Sequence, residues 1–133
     1  MFPQIQPGLI GEREIQVEAA QTARHLGSGS VSVLATPELI RLMEAAAVRA
    51  VDPLLPEGYS TVGIHVDVNH LAATPLGMQV RVRATLQEVD GRKLTFRVEA
   101  FDEVEQVGTG THQRMIIDLA RFKQRVEAKH SPS

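Results

Sequence analysis

The sequence predicts an α+β fold, with an antiparallel sheet of five to six strands wrapped around one long central helix. Three observations predict it. A single stretch after Thr36 repeats its apolar residues at helical spacing, and several later stretches alternate apolar with polar residues. No helices separate those later strands, so the βαβ rhythm of a parallel sheet is missing.

The helix comes from the segment Val31 to His70, around which the chain is organised. Val31 to Ala35 reads as a short strand. Thr36-Pro37 predicts a helix start, because a Thr hydroxyl caps free backbone N–H groups and Pro in the first turn loses no hydrogen bond. Apolar residues then fall at Leu39, Leu42, Met43, Ala46, Ala47, Ala50, Val51 and Leu54, one buried face of a helix. Asp52-Pro53 and Pro56-Glu57-Gly58 end it. At about 100° per residue, Glu38, Arg41, Arg49 and Asp52 gather on the side away from that face. Glu44 sits at the border of the apolar arc, as a rim residue reaching solvent or as a carboxylate held at a partly buried site.

The strands follow from period-two alternation. Glu12 to Ala19 sets Ile15, Val17 and Ala19 against Glu14, Gln16 and Glu18. Gly27-Ser-Gly-Ser30 is a loop, and His25 before it is a solvated side chain. In Tyr59 to His70, the residues Val62, Ile64, Val66, Val68 and His70 share one face, with His65 and Asp67 on the other. Two long runs joined by Asp90-Gly91 form a hairpin. Val80, Val82, Ala84 and Leu86 point inward from the first, Leu94, Phe96, Val98 and Ala100 from the second. Gln106 to Asp118 is the last strand, where Gly108 and Gly110 suit a bulge or a close backbone approach. Its His112 reads as a cross-strand partner on an exposed face. Leu119 to Lys129 makes a short helix, and His130 to Ser133 should fray. Arg81, Arg83, Arg97, Glu14 and Glu18 keep the outer face of the sheet wet.

Composition narrows the function classes. The 133 residues fit one domain, with 1–10 as an irregular arm and 119–133 as a short helix and tail. A net charge of −2 gives no reason to expect nucleic acid or an anionic membrane as partner. No apolar run approaches the roughly 20 residues that span a bilayer, and the start has no secretory signal, so a cytoplasmic location is expected. With no cysteine, thiolate catalysis, disulfides and Cys-ligated metals are excluded. The five histidines show no compact metal spacing, and neither G-x-S-x-G, Walker A, G-x-G-x-x-G nor H-E-x-x-H occurs. No metal and no cofactor are expected.

Three segments carry a resemblance. Ala35-Thr-Pro-Glu-Leu39 with Glu44, Val66-Asp-Val-Asn-His70 followed by Ala73-Thr-Pro75, and Gly110-Thr-His-Gln-Arg114 are similar, in order and spacing, to the hotdog-fold thioesterases of the fluoroacetyl-CoA thioesterase-like family. The likeness covers roughly residues 12–118. It implies a hotdog fold and hydrolysis of a small or medium acyl-CoA to free acid and coenzyme A, CoA entering only as part of the substrate. It carries over Thr36, Glu44 and His70 as the catalytic set, and Gly63 and Arg114 as substrate-binding residues. One departure is informative: Gly27 to Ser30 holds no aromatic to close over a small acyl group, which leaves the acyl group open.

Those residue types suit thioester hydrolysis. Glu44 serves as base on water or as nucleophile through an anhydride, His70 handles the leaving thiolate or its proton, and helix N–H groups polarise the carbonyl. Thr36 would hold Glu44 or the water. Two other readings stand beside this one: a non-catalytic acyl-CoA binding protein, and an enoyl-CoA hydratase using Asp67 and His70. Eight residues place Glu44 about 12 Å along the helix from Thr36, too far for contact within one chain. A homodimer, alone or within a dimer of dimers, reconciles this by bringing one chain's Glu44 to the partner's Thr36 region.

Overall fold

In the computed structural model, residues 2–27 and 29–130 are described. Ser28 in the Gly27–Ser30 loop, and the expected fraying of residues 131–133, lie outside the described residues. Five strands form one antiparallel sheet: β1 (Ile10–Gln16), β2 (Tyr59–His70), β3 (Gln79–Asp90), β4 (Lys93–Asp102) and β5 (Gln106–Asp118), in the spatial order β1-β3-β4-β5-β2. A one-turn helix α1 (Ala23–Leu26), the long helix α2 (Thr36–Val51) and a terminal helix α3 (Leu119–Glu127) complete it. This is the arrangement that the hotdog resemblance implies.

Alternation builds the core as expected. Val80, Val82, Ala84 and Leu86 of β3 and Leu94, Phe96, Val98 and Ala100 of β4 are all buried against Leu39, Leu42, Met43, Ala46 and Ala47 of α2. The β3–β4 hairpin turns at Gly91, whose φ of 61° is cheap only for glycine. Small residues let α2 approach β1 closely. A Cβ at Gly11 would collide with the Ala46 carbonyl and the Ala50 backbone.

Four local readings need correction. Residues 31–35 form no strand, only the isolated bridges Thr22–Leu34 and Val33–Pro75. Their backbone groups bond separately to the Thr22, Gln21 and Thr74 neighbourhoods rather than to one ladder. The first strand starts and ends earlier than alternation suggested, because 19–21 turn into a 3-10 helix and Ala19 is exposed. Thr36 does not cap α2: Ala35 is the N-cap, with no side-chain cap, and Thr36 is already helical. Glu38, placed on the polar side by the wheel, is buried and clasped by Arg41, with Nη2 to Oε1 at 2.6 Å.

A fifth correction decides the site. In β2 the register against β5 shifts between Gly63 and His65. The extra residue, Ile64, is a bulge that reverses the facing of everything before it. Val66, Val68 and His70 face the same side as His112 and Gly110, as expected. Val62 and Ile64 do not; Thr61 and Gly63 take the inner face instead, opposite Ile116 and Arg114.

Candidate active site

The five residues singled out by resemblance fall into two groups on α2. The first lies at the helix N-terminus. Thr36, freed from capping, sets its Oγ1 2.8 Å from Nδ1 of His70, the last residue of β2. Burial pushes the His70 imidazole below its ordinary titration range, with the Ala72 backbone opposing more weakly. Its other nitrogen, Nε2, is buried and has no hydrogen-bond partner. Beside the pair opens a cleft of about 370 Å³ walled by Ala23, Val33, Leu71, Ala72 and Ala73. The first-turn amides of α2, which have no carbonyl partner within the helix, lie at the same end.

The second group sits two turns on. Glu44 extends from the border of the apolar face towards β2 and β5, with its side chain 42% exposed. Its Oε2 lies 3.7 Å from Nη1 of Arg114, whose side chain is 7% exposed. The guanidinium is held on three sides. Nε donates to Thr61 Oγ1 at 2.8 Å, Nη2 to the Thr61 carbonyl at 3.0 Å, and Nη1 lies 3.1 Å from His112 Nε2. Thr61 in turn donates to Asp52 Oδ1 at 2.6 Å, and Asp52 Oδ2 accepts from Ser60 Oγ and Thr61 N. Burial pulls Arg114 below the usual arginine value, while Asp52 and Glu44 oppose that shift. Gly63 leaves the space that Glu44 uses: a Cβ there would lie 2.8 Å from Oε2.

The structure therefore joins Thr36 to His70, and Glu44 to Gly63 and Arg114, but not one group to the other. No hydrogen bond or ion pair links the two among the described residues. His112 overturns its sequence reading. It is 1% exposed, faces inward, and stacks near Phe96 with ring centroids 6.3 Å apart. The signal was available in the alternation, since His112 shares parity with the plainly apolar Ile116. Thr61 and Asp52 were also missed, because only the bulge turns Thr61 inward. Asp67 faces away from His70 across β2 and is exposed, so the pair that a hydratase would need does not converge. Among the described residues no three His, Asp or Glu side chains are grouped to hold a metal, and no helix is long and apolar enough to cross a membrane.

Residues 17–120 match the family described as fluoroacetyl-CoA-specific thioesterase. The chain belongs to that family. It is 41% identical over 129 residues to the fluoroacetyl-CoA thioesterase of Streptantibioticus cattleyicolor, covering 90% of this chain and 93% of the relative. Within this thioesterase family, the structure of a threonine-to-serine variant in complex with acetyl-CoA superposes with a TM-score of 0.87 at 38% identity, over 94% of this chain and 98% of that one. A thioesterase superfamily member from Thermus thermophilus also aligns with a TM-score of 0.87, at 30% identity over 97% and 98% of the two chains. The hotdog arrangement and thioesterase ancestry thus agree across relatives of falling identity.

Proposed function

We propose that this protein hydrolyses acyl-CoA thioesters, at two identical sites each completed by a second copy of the chain. The observation that carries the reading is the split site. Thr36 and His70 meet at the start of α2, while Glu44 stands about 12 Å further along the same helix. The Thr36–His70 pair borders an open cleft at the first group, and Glu44 is half-exposed at the second. An isologous dimer with antiparallel α2 helices brings one chain's Glu44 to the other's Thr36 and His70. The edge of the sheet supports this. β2 is twelve residues long, is the last strand of the sheet among the described residues, and exposes Ile64 and Val66, with the exposed Leu71 just after it. A long apolar edge is what a second copy covers.

In this site the thioester carbonyl lies at the α2 N-terminus, where first-turn amides stabilise the developing oxyanion. Glu44 removes a proton from water, whose oxygen attacks the carbonyl carbon, or attacks directly to give an anhydride that water then opens. The C–S bond breaks and the CoA sulfur leaves with the electron pair. His70, paired with Thr36 through Nδ1 at the start of α2, serves the leaving thiolate or its proton. The cleft's small aliphatic walls suit a short to medium acyl chain, and CoA is needed only as part of the substrate.

Release of free CoA across a panel of acyl-CoA thioesters, followed with a thiol reagent, tests the activity. Glu44→Gln and His70→Ala should each lower kcat by on the order of 10²-fold or more. Binding of acyl-CoA with no release from any member would make this a binding protein instead. Subunit mixing tests the shared site. Refolding inactive Thr36→Ala with inactive Glu44→Gln gives heterodimers with one intact and one doubly damaged site, so activity should partly return. No recovery in demonstrated heterodimers would refute the shared site and leave the hydrolase standing.

A further inference from the structure

His112 is buried in the Glu44 group, yet it touches neither that carboxylate's oxygens by hydrogen bond nor the Thr36–His70 pair. Its own two bonds settle its protonation by elimination. Nδ1 lies 2.8 Å from the backbone carbonyl oxygen of His65, which only accepts, so Nδ1 carries the proton. Nε2 lies 3.1 Å from Nη1 of Arg114, which only donates, so Nε2 must offer its lone pair. Both contacts are satisfied by the neutral ring alone. The His65 carbonyl is available in this place because of the Ile64 bulge, so the device is built into the irregularity of β2.

We propose that His112 is a positioning residue for Glu44: as neutral imidazole it holds Arg114 Nη1, and so fixes the edge of the guanidinium that faces the Glu44 carboxylate. The proposal rests on the thioesterase reading above. Arg114 has three anchors, two of them on Thr61. Those two fix Nε and Nη2; among the described residues His112 alone accepts a hydrogen bond from Nη1, the nitrogen nearest Glu44 Oε2. Without that acceptor the guanidinium can swing about its Thr61 edge. The charged and titratable groups facing His112 are Arg114 on its own strand, Glu44 on α2 and His65 on β2; from β4 it meets only Phe96. Burial pushes His112 below the ordinary histidine range and Arg114 pushes in the same direction, while Glu44 and the His65 carbonyl pull upward. A proton on Nε2 would turn the acceptor into a donor aimed at a guanidinium, and release Arg114 from this side.

Three measurements test this. In wild-type protein at neutral pH, nitrogen NMR of the His112 ring should show a neutral ring protonated at Nδ1. A ring protonated at Nε2, or doubly protonated, would overturn the proposal. His112→Phe keeps an aromatic ring but has no acceptor, and should lower kcat on the order of 10-fold or more with KM little changed, as expected when a reacting group is misplaced rather than removed. His112→Gln can place an amide oxygen towards Nη1 and should recover at least half of that loss on a logarithmic scale. In His112→Gln the part of the acid limb of kcat that belongs to His112 should also disappear. Equal losses in the Phe and Gln variants, or wild-type kcat in folded His112→Phe, would refute positioning. If the wild type releases no CoA from any thioester, the functional reading fails instead, and the NMR result still decides the ring's bonding by itself.

Discussion

Gly63→Ala separates geometry from stability at this site. A Cβ at residue 63 would lie 2.8 Å from Glu44 Oε2, 3.2 Å from His112 Cε1 and 3.3 Å from Arg114 Nη1, where ordinary contact begins at 3.4 Å. The two longer contacts need shifts of only a tenth or two of an ångström. The shortest is about 0.6 Å too close. His112 and Arg114 are buried and hydrogen-bonded, so they resist; among the described residues the Glu44 carboxylate is held by one ion pair at 3.7 Å, so it is the group that moves. Losing a long pair whose carboxylate is this exposed costs about 1 kcal/mol, since Arg114 keeps its hydrogen bonds to Thr61 and His112. Alanine at a position without positive φ returns about 0.4–1 kcal/mol by restricting the unfolded chain. Stability should therefore hardly change, with Tm within about 4 °C of wild type. Activity should fall, because misplacing a reacting group by about 1 Å costs on the order of 10²-fold; a shift of this size predicts a kcat loss of about 10- to 10²-fold. Gly110→Ala is the contrast. Its Cβ would meet the Asp67 carbonyl and lie 2.6 Å from Val68 Cα, both backbone, so that variant should lose stability first. CoA release and thermal unfolding measured on both proteins decide the matter. Wild-type turnover in Gly63→Ala, or a Tm drop as large as that of Gly110→Ala, would refute the argument.

His65→Ala should leave kcat and stability within about twofold, as for exposed side chains generally, because only the backbone carbonyl of His65 is used; a large loss of CoA release would show that the ring itself serves the site. The pH dependence of stability follows from His70 and His112, both pushed by burial below the ordinary value of 6.5. Each binds its proton more weakly folded than unfolded, so stability rises with pH up to about 6.5 and is lost as pH falls through the window below it. Urea midpoints measured across that window should climb towards neutral pH, and His112→Gln should flatten the climb; midpoints that decline instead would contradict the buried neutral rings.

Much of the fold is legible because the inner-face residues Val80, Val82, Ala84 and Leu86 of β3 and Leu94, Phe96, Val98 and Ala100 of β4 are all apolar and Asp90-Gly91 marks the turn between the two strands. The bounds of β2 and β5 follow from the same alternation. Residues 31–35 misled because a short apolar run looks the same whether it joins a ladder or bonds piecemeal to two segments, 21–24 and 74–75. Thr36 misled for a related reason. A Thr before Pro is a good cap by local chemistry, but here Ala35 takes the cap position and the hydroxyl is spent on His70, 34 residues away. The candidate site was legible mainly through resemblance. From the residues alone came the border position of Glu44 and the inward parity of His70, both of which hold.

What neither pattern nor resemblance supplied is how Glu44 finds its neighbours, and the Ile64 bulge answers that. In a regular β2, the parity that turns His70 inward would turn Gly63 and Thr61 outward. The inner face beside Arg114 would then carry Val62 and Ile64, two branched side chains where a carboxylate needs room. One extra residue allows both requirements in one strand: inward odd positions before the bulge, inward even positions after it. Thr61 can then anchor Arg114, Gly63 can yield its space to Glu44 Oε2, and the His65 carbonyl can accept from His112. No residue type announces a bulge, since Ile64 fits a regular strand as well as any. The irregularity is specified by long-range needs, the buried arginine above all, which costs far more without its hydrogen bonds than one interrupted ladder step. A residue placed at the site by one register and excluded by the next is therefore decided here by the polar groups of β5, not by the apolar pattern of β2.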